Sequence, residues 1–280
     1  MSHFPIGVIL DSFRKPIGEA LDIAASLGVQ GVQVYAAQGE MSPESLMGDK
    51  RGQFLRMVKD RGLVISALCG DLGHGFGNPE KNPALIEKSK RIIDLAKELE
   101  TDVVTTHVGV VPEDPGHPRY AIMRDACGEL AAYADTLQAH FAIETGPEKA
   151  GTLKAFLDTL HSTGVAVNFD PANFVMVTGD DPAQAVYTLG DYIVHTHAKD
   201  GVKLLERDPE KIYGIAREDA LVTDAAFQEV PLGEGSVKFP AYLAALDAVG
   251  YKGFLTIERE AGGDPVADIS RAVAFLRALL

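Results

Sequence analysis

Short apolar runs alternate with longer amphipathic segments along the whole chain. Eight of the apolar runs have the length of buried strands. They are Ile6–Leu10, Gly31–Tyr35, Val64–Leu68, Val103–His107, Phe141–Glu144, Val165–Asp170, Tyr192–His197 and Gly253–Glu258. Between them, apolar residues recur at helical spacing, most clearly over Asn82–Leu99. The other predicted helices are Pro16–Leu27, Pro43–Arg61, Arg119–Ala139, Leu153–Ser162, Pro182–Leu189, Phe239–Val249 and Pro265–Leu279.

This alternation predicts an α/β protein with a parallel sheet. Eight strand–helix units in 280 residues match the number that closes a (β/α)8 barrel, or TIM barrel, which typically has about 250 residues. An open, doubly wound sheet is the alternative, but residues 11–16 lack the glycine-rich turn that usually follows its first strand. The sequence shows no linker. We therefore predict a single TIM-barrel domain over residues 1–280.

The net charge of the chain argues against a nucleic-acid partner. Its 26 basic and 40 acidic residues give a net charge of −14, whereas a nucleic-acid-binding protein needs a basic surface against phosphates. The N-terminal segment lacks the features of a signal peptide, and no apolar run reaches the roughly 20 residues that span a bilayer. We expect a cytoplasmic protein with a small-molecule substrate and with neither a nucleic-acid nor a membrane partner.

Four strands in the second half of the chain end on a side chain that can bind a metal. These residues are Glu144, Asp170, His197 and Glu258. Side chains alternate between the two faces of a strand. If Glu144 points into the barrel, Ala142 does too, and Ile143 faces the helices. The same parity places Asn168 on the inner face with Asp170. It also places Thr256 there with Glu258, so the carboxylates converge at the C-terminal mouth, where TIM barrels carry their active sites.

Three carboxylates in one mouth repel each other, and a divalent cation removes that conflict. Two glutamates, an aspartate and a histidine form an oxygen-rich ligand set, which suits Mn²⁺ or Mg²⁺ best and also allows Co²⁺ or Zn²⁺. Each residue alone has a simpler explanation; Asp170, for example, could cap the turn formed by Pro171–Asn173. Four unrelated capping residues would have no reason to share strand parity, so the sequence favours one metal site.

The chain resembles the xylose-isomerase-like barrel superfamily, in particular its sugar isomerase and epimerase branch. The motifs that carry the resemblance are Ile143-Glu144, Phe169-Asp170-Pro171-Ala172-Asn173, His195-Thr196-His197-Ala198-Lys199-Asp200, Pro231-Leu232-Gly233-Glu234-Gly235 and Ile257-Glu258. The resemblance implies that Glu144, Asp170, His197 and Glu258 hold the metal. It further implies that Glu144 and Glu258 are the catalytic acid and base, which move a proton next to a ketose carbonyl through a metal-stabilised enediolate.

Four further residues are candidates for contact with the substrate. They are His74, His107, Asn173 and Arg207. Asn173 stands where some epimerases of this group carry a histidine, and an amide can orient a hydroxyl group but cannot exchange protons. His107 is also explained as an interior histidine, and Arg207 as a loop residue. Gln33 is a second departure, since many relatives carry an acidic residue there.

Two other activities fit the same residues. A lyase or dehydratase acting on a keto-inositol or a 3-keto-sugar would form the same enediolate and expel a β-hydroxyl group. An endonuclease that hydrolyses phosphodiesters at a trinuclear zinc site is a remote alternative, because it needs several more histidines. Asp200–Val237 is the longest irregular stretch, and we expect it to form a lid or a subunit contact, the latter in a homo-oligomer.

Overall fold

The computed structural model describes residues 4–216 and 224–280. Eight parallel strands close a barrel in the order β1-β2-β3-β4-β5-β6-β7-β10, with helices around it, which confirms the predicted TIM barrel. The strands are β1 Ile6–Ile9, β2 Gly31–Tyr35, β3 Val64–Cys69, β4 Val103–Thr106, β5 His140–Glu144, β6 Val165–Phe169, β7 Ile193–Ala198, β8 Asp200–Lys203, β9 Phe227–Val230 and β10 Leu255–Ile257. The α-helices are α1 Ile17–Ser26, α2 Asp49–Lys59, α3 Asn82–Glu98, α4 Pro118–Thr136, α5 Ala150–Asp158, α6 Pro171–Asn173, α7 Pro182–Leu189, α8 Pro209–Ile212, α9 Phe239–Ala248 and α10 Pro265–Leu279.

The two faces of the barrel strands carry different residue types, as strand parity predicts. Outward-facing Phe169 of β6 stacks on Tyr242 of α9, with ring centroids 5.6 Å apart, and Phe141 of β5 meets the edge of Phe76. Large apolar side chains of this kind stabilise a fold by about 1.5–3 kcal/mol each when fully buried. Asn168 takes the inner face of β6 and bonds to residues of β5 and β7. The apolar core therefore lies between sheet and helices, which leaves the barrel axis to polar groups.

Helix ends follow local capping chemistry. Helix α7 begins at Pro182 because the Asp181 carboxylate accepts hydrogen bonds from the amides of Ala183 and Gln184, and a proline at the first position lacks an amide to satisfy. The predicted helix Pro43–Arg61 is wrong at its start. The observed helix α2 begins only at Asp49, because the residue before it, Gly48, has a positive φ of 57° that a right-handed helix does not allow.

The stretch Asp200–Val237, predicted to be irregular, contains regular structure. Strands β8 and β9 pair antiparallel, with Asp200 opposite Val230 and Lys203 opposite Phe227, and the short helix α8 lies between them. Strands of four residues are too short for a clear alternation of apolar and polar positions, which is why the sequence pattern did not reveal them. Residues 217–223 of this stretch lie outside the described residues. We call β8 and β9 the ribbon.

Asp200 anchors the ribbon to the barrel. Its buried carboxylate accepts hydrogen bonds from four backbone amides, those of Gly201, Gly233, Gly235 and Val237. These contacts hold the turn over residues 231–237 against the start of the ribbon. The position of the ribbon beside the barrel mouth is thus fixed by one charged side chain and its amide donors. Within the described ranges, no helix is long and apolar enough to cross a membrane.

Candidate active site and metal centre

Four side chains converge at the C-terminal mouth of the barrel. Glu144 ends β5, Asp170 follows β6, His197 lies near the end of β7, and Glu258 follows β10. One ligand atom from each lies within 4.8 Å of the others. A cation with bonds of about 2.0–2.2 Å spans ligand pairs up to about 4.4 Å apart, so the spacing is close to that of a metal site. The structure thus brings the four predicted ligands together.

Asp170 serves two purposes with its two oxygens. Oδ1 accepts hydrogen bonds from the amides of Ala172 and Asn173, 2.8 and 3.2 Å away, so it does cap the following turn. Oδ2 is buried and has no hydrogen-bond partner among the described residues; it lies 3.6 Å from His197 Nδ1. A buried, unpartnered carboxylate oxygen is costly unless a cation meets it. The cap and the ligand are therefore compatible explanations of one residue.

His197 presents Nδ1 to the three carboxylates. This atom is 3.2 Å from Glu258 Oε2 and 3.7 Å from Glu144 Oε1. Burial disfavours a charged ring, but the carboxylates of Glu258 and Glu144 outweigh it and raise the pKa of His197 well above its ordinary value. A proton on Nδ1 and a divalent ion are two ways to neutralise the same acidic cluster. The residues present fit a divalent cation by charge, spacing and donor type.

The other ring nitrogen of His197 is held by Gln33. His197 Nε2 lies 3.0 Å from Gln33 Oε1, and Gln33 Nε2 in turn donates to Thr105 Oγ1 at 2.8 Å. The Gln33 carbonyl is an acceptor, so it pairs with a protonated Nε2; Asn168 Nδ2 also lies 3.3 Å from that nitrogen, but it donates to Glu144 Oε2 at 3.1 Å. Nδ1 is then the nitrogen with a free lone pair, as a ligand requires.

A second buried layer lies beneath the ligands. His195 Nδ1 is 2.8 Å from Asn168 Oδ1, and its Nε2 is 2.9 Å from the Thr256 hydroxyl group. Burial lowers the pKa of His195 well below its ordinary value, with the nearby His197 acting in the same direction, so this ring is neutral. Asn168 Nδ2 donates to Glu144 Oε2 at 3.1 Å. This layer orients Glu144 from below.

The two glutamates have different surroundings. Burial raises the pKa of the Glu144 carboxyl group against the opposing effects of His107 and His197. Burial acts in the same direction on Glu258, but the Lys199 ammonium group, 2.9 Å away, and His197 outweigh it and lower the pKa of Glu258. Lys199 also pairs with Glu260. Environments that separate the pKa values of two carboxyl groups are typical of acid–base sites.

Two adjoining cavities open at this end of the barrel. The first, here called the inner cavity, has a volume of about 250 Å³, and its lining includes Tyr35, Cys69, His107, Glu144, Lys199 and Glu258. The second, the outer cavity, has a volume of about 640 Å³. Asp71, His107 and Tyr213 line both, so the two cavities adjoin at these three residues. Ile212, Phe227 and Glu229, from α8 and the ribbon, complete the wall of the inner cavity.

The structure separates the predicted substrate contacts. His107 and Asn173 line the inner cavity. His107 Nε2 is 3.5 Å from Glu144 Oε1, and Asn173 Nδ2 donates to the Thr145 carbonyl at 3.0 Å. Burial lowers the pKa of His107, but Glu144 and other nearby carboxylates outweigh it and raise that pKa.

Asn173 owes its place to a glycine. Gly146 has φ 144°, and a Cβ atom there would lie 2.5 Å from Asn173 Cβ. Only glycine leaves room for the amide side chain to reach the Glu144 end of the inner cavity.

The other two predicted contacts lie elsewhere. His74 is exposed and lines only the outer cavity. Arg207 donates to the Asp224 carbonyl at 2.6 Å, and within the described residues neither cavity lining includes it. The sequence also did not single out several inner-cavity residues, namely Tyr35, Cys69, Tyr213, Phe227 and Glu229. The first two end β2 and β3, so their positions at strand ends were the available signal.

Comparisons with known proteins agree with the barrel fold. Among solved structures, a xylose isomerase domain protein from Planctomyces limnophilus is 26% identical, with a TM-score of 0.81 and coverage of 99% of this chain and 97% of that one. The probable 3-DHS dehydratase involved in petrobactin synthesis from Bacillus anthracis is 17% identical (TM-score 0.75, coverage 98% and 99%). The 3-keto-D-glucoside 4-epimerase from E. coli is 16% identical (TM-score 0.74, coverage 99% and 100%). The last two show a shared fold.

The family assignment rests on a wider match. The model of the family described as xylose isomerase-like TIM barrel matches residues 21–279, nearly the whole chain. All four converging side chains lie inside that range, as do the eight barrel strands apart from β1. The chain belongs to the xylose isomerase-like TIM barrel family.

Proposed function

We propose that the protein is a divalent-metal-dependent isomerase or epimerase of a keto sugar or a cyclitol derivative. The observation that carries this proposal is the arrangement of the four converging side chains relative to the inner cavity. Glu144 and Glu258 line that cavity, whereas Asp170 and His197, 0% and 1% exposed, lie beneath it. Two of the four ligands can therefore reach a substrate, and both are carboxylates.

The positions of the two glutamates suit proton transfer. Glu144 belongs to β5 and Glu258 follows β10, with β6 and β7 between them in the barrel wall. A substrate carbon held over the cluster would have one carboxylate on either side. One glutamate takes the proton from the carbon next to the carbonyl group, and the other returns a proton to the opposite face.

Each glutamate is oriented by its own partners. Asn168 and Asn173 donate to the two oxygens of Glu144, at 3.1 and 3.4 Å. Lys199 donates to Glu258, and in this role it keeps that carboxylate ionised and in place. Asp170, His197 and both glutamates would hold the metal, with Mn²⁺ or Mg²⁺ preferred by the oxygen-rich set. When bound, a divalent cation supplies Lewis-acid polarisation of the substrate carbonyl group.

The test is proton exchange with solvent. Protein loaded with Mn²⁺ is incubated with a panel of ketoses and keto-cyclitols in D₂O, and NMR follows deuterium at the carbon next to the carbonyl group. We expect deuterium uptake with no loss of water. Glu144→Gln and Glu258→Gln should each lower the rate by about 10²–10⁴-fold, the usual range for a positioned general acid or base.

Glu234→Gln is the matched control, because Glu234 is an exposed glutamate in the same half of the chain. It should leave the rate unchanged. Full exchange in both cavity variants would disprove the assignment of the acid–base pair. An enone product formed with loss of water would instead identify a lyase at the same residues.

A further inference from the structure

The outer cavity is larger than a single sugar needs. Pockets that bury a drug-sized ligand measure about 300–1,000 Å³. The inner cavity, about 250 Å³, falls below this range, whereas the outer cavity, about 640 Å³, falls within it. Because the two cavities adjoin at Asp71, His107 and Tyr213, the outer cavity lies next to a substrate seated over the four converging side chains.

The charge of the lining reverses from one cavity to the other. Apart from the shared Asp71 and His107, the inner cavity is lined by four glutamates and one lysine. The outer cavity adds Lys81, Arg119 and His74 and no further acidic residue. In a chain with a net charge of −14, a lining that holds Lys81 and Arg119 against one carboxylate, Asp71, is more basic than the molecule as a whole. It is the kind of surface that attracts a negatively charged group.

Arg119 contributes a guanidinium group to this lining. It lies in the first turn of α4, pairs with Glu210 through one guanidinium nitrogen, and packs its aliphatic part over Gly77. Its Nε is buried and has no hydrogen-bond partner in residues 4–216 and 224–280. Lys81 is exposed and forms no ion pair in the same part of the chain.

The backbone around these cations is held in place. Gly75, with φ 58°, packs directly on the segment after β4, and a Cβ atom there would lie 2.7 Å from the Val108 carbonyl oxygen. The Phe76 amide donates to that same oxygen at 2.9 Å. The loops after β3 and β4 are thus joined, so the wall of the outer cavity is formed before any ligand binds.

We propose that the outer cavity is a subsite for an anionic group, a phosphate or a carboxylate, carried by the substrate and bound by Arg119, Lys81 and His74. The keto portion of that substrate rests on the proposed function, whereas the anion subsite stands on the outer cavity alone. The substrate class that follows is a keto sugar or cyclitol with an acidic substituent remote from its carbonyl group.

The test is calorimetric titration of inorganic phosphate into metal-free, full-length protein. Arg119→Met and Lys81→Gln should each weaken binding about tenfold, the effect of losing one hydrogen bond to a charged group. Lys88→Gln makes the same charge change on α3, at a residue that does not line the outer cavity, and should leave binding unchanged.

Glu210→Gln separates anion binding from a loss of structure. Arg119→Met and Glu210→Gln break the same ion pair, so damage to the fold would weaken phosphate binding in both. An anion subsite predicts opposite changes, because loss of the competing carboxylate frees Arg119 to bind phosphate more tightly. Changes in the same direction, or no binding by the wild-type protein, would overturn the proposal.

A parallel titration with acetate identifies the group. The anion whose affinity depends more strongly on Arg119 is the one that the subsite recognises. Neither titration involves metal or turnover, so absence of deuterium exchange would count against the proposed function alone. Absence of phosphate and acetate binding would count against the subsite alone.

Discussion

The half of the barrel formed by β5, β6, β7 and β10 differs from the half formed by β1 to β4 in how it serves the site. Strands β5, β6, β7 and β10 are consecutive neighbours in the barrel wall, and one of the four converging side chains lies at or directly after the end of each. The other four supply no ligand to this cluster in the described chain; they contribute Gln33 and Thr105, which orient His197. In the proposed metal site, one half of the barrel supplies the metal ligands and the other half supplies the groups that position them.

The two halves also differ in charge. Three carboxylates and an imidazole in the ligand half create an electrostatic conflict that a cation relieves. The positioning half carries neutral hydrogen-bonding groups at the same depth, with Gln33 and Thr105 both fully buried. A change in the ligand half should therefore remove metal binding, whereas a change in the positioning half should weaken it.

The largest effect is expected from Asp170→Asn. Asparagine keeps the oxygen that caps the following turn and replaces the unpartnered carboxylate oxygen by a neutral amide. We expect metal affinity to fall roughly a thousandfold, on the scale of 3–5 kcal/mol for removing one partner of a buried charged pair. Competition with a fluorescent chelator measures the affinity.

Asp181→Asn is the control for this variant. Asp181 caps α7 with the same two bonds, to the amides two and three residues ahead, and does not belong to the converging group. It should leave metal affinity unchanged. Equal losses in the two variants would mean that Asp170 acts as a cap alone.

Gln33→Leu probes the positioning half. With its acceptor removed, His197 loses the bond that fixes its tautomer and ring orientation. Loss of such an outer partner typically costs about 10–100-fold in metal affinity, so we expect an effect of that size. Gln38→Leu, an exposed position after the same strand, should have no effect. A loss as large as that of Asp170→Asn would remove the distinction between the two halves.

The ligand half was predictable from the sequence because its signal is local. Strand alternation alone places Glu144, Asp170 and Glu258 on the inner face, and each lies at or directly after a strand end. The positioning half gives no such signal. Gln33 and His197 are 164 positions apart, and only the closed barrel brings the two side chains together. The sequence identified Gln33 only as a departure from related proteins and did not indicate that it would contact His197.

Substrate contacts were the least predictable part. Two of the four predicted substrate contacts, His107 and Asn173, line the inner cavity next to Glu144. Arg207 lies between the two strands of the ribbon, and the path of the ribbon depends on the pairing of Asp200 with Val230 and on the amide contacts of Asp200. No periodicity along the chain encodes that path. Side chains in such a long segment between two barrel elements are positioned by tertiary contacts.

Glu148 joins the two halves and should make stability depend on pH. Its carboxyl group is 6% exposed and accepts a hydrogen bond from the Val111 amide at 3.2 Å. This bond joins the segment after β5 to the segment after β4. Burial raises its pKa to about 8, against smaller effects of the Val111 bond and of His107. An acid with a raised folded-state pKa favours folding below its unfolded pKa, and that contribution is lost as pH rises through about 8.

We therefore expect the wild-type protein to lose about 2–3 kcal/mol of unfolding free energy through this group between pH 6 and pH 9. Glu148→Gln should remove that loss, because the amide stays neutral. Urea denaturation at both pH values measures the difference, and Glu113→Gln, at an exposed residue, is the control. The same pH dependence in Glu148→Gln and wild type would show that Glu148 is ionised in the folded protein.

Thr105→Val should have the smallest effect and defines how the positioning half works. It leaves Gln33 in place and removes only the hydroxyl group that fixes its amide, so the carbonyl can turn away from His197. One net hydrogen bond is worth about 0.5–1.5 kcal/mol, so metal affinity should fall about two- to tenfold. Thr106→Val on the same strand loses a hydroxyl group that donates to the His107 carbonyl and should change nothing. If Thr105→Val loses as much metal affinity as Gln33→Leu, the orientation of the amide is the whole contribution of Gln33. If Thr105→Val loses no more affinity than Thr106→Val, Gln33 holds His197 without help from β4.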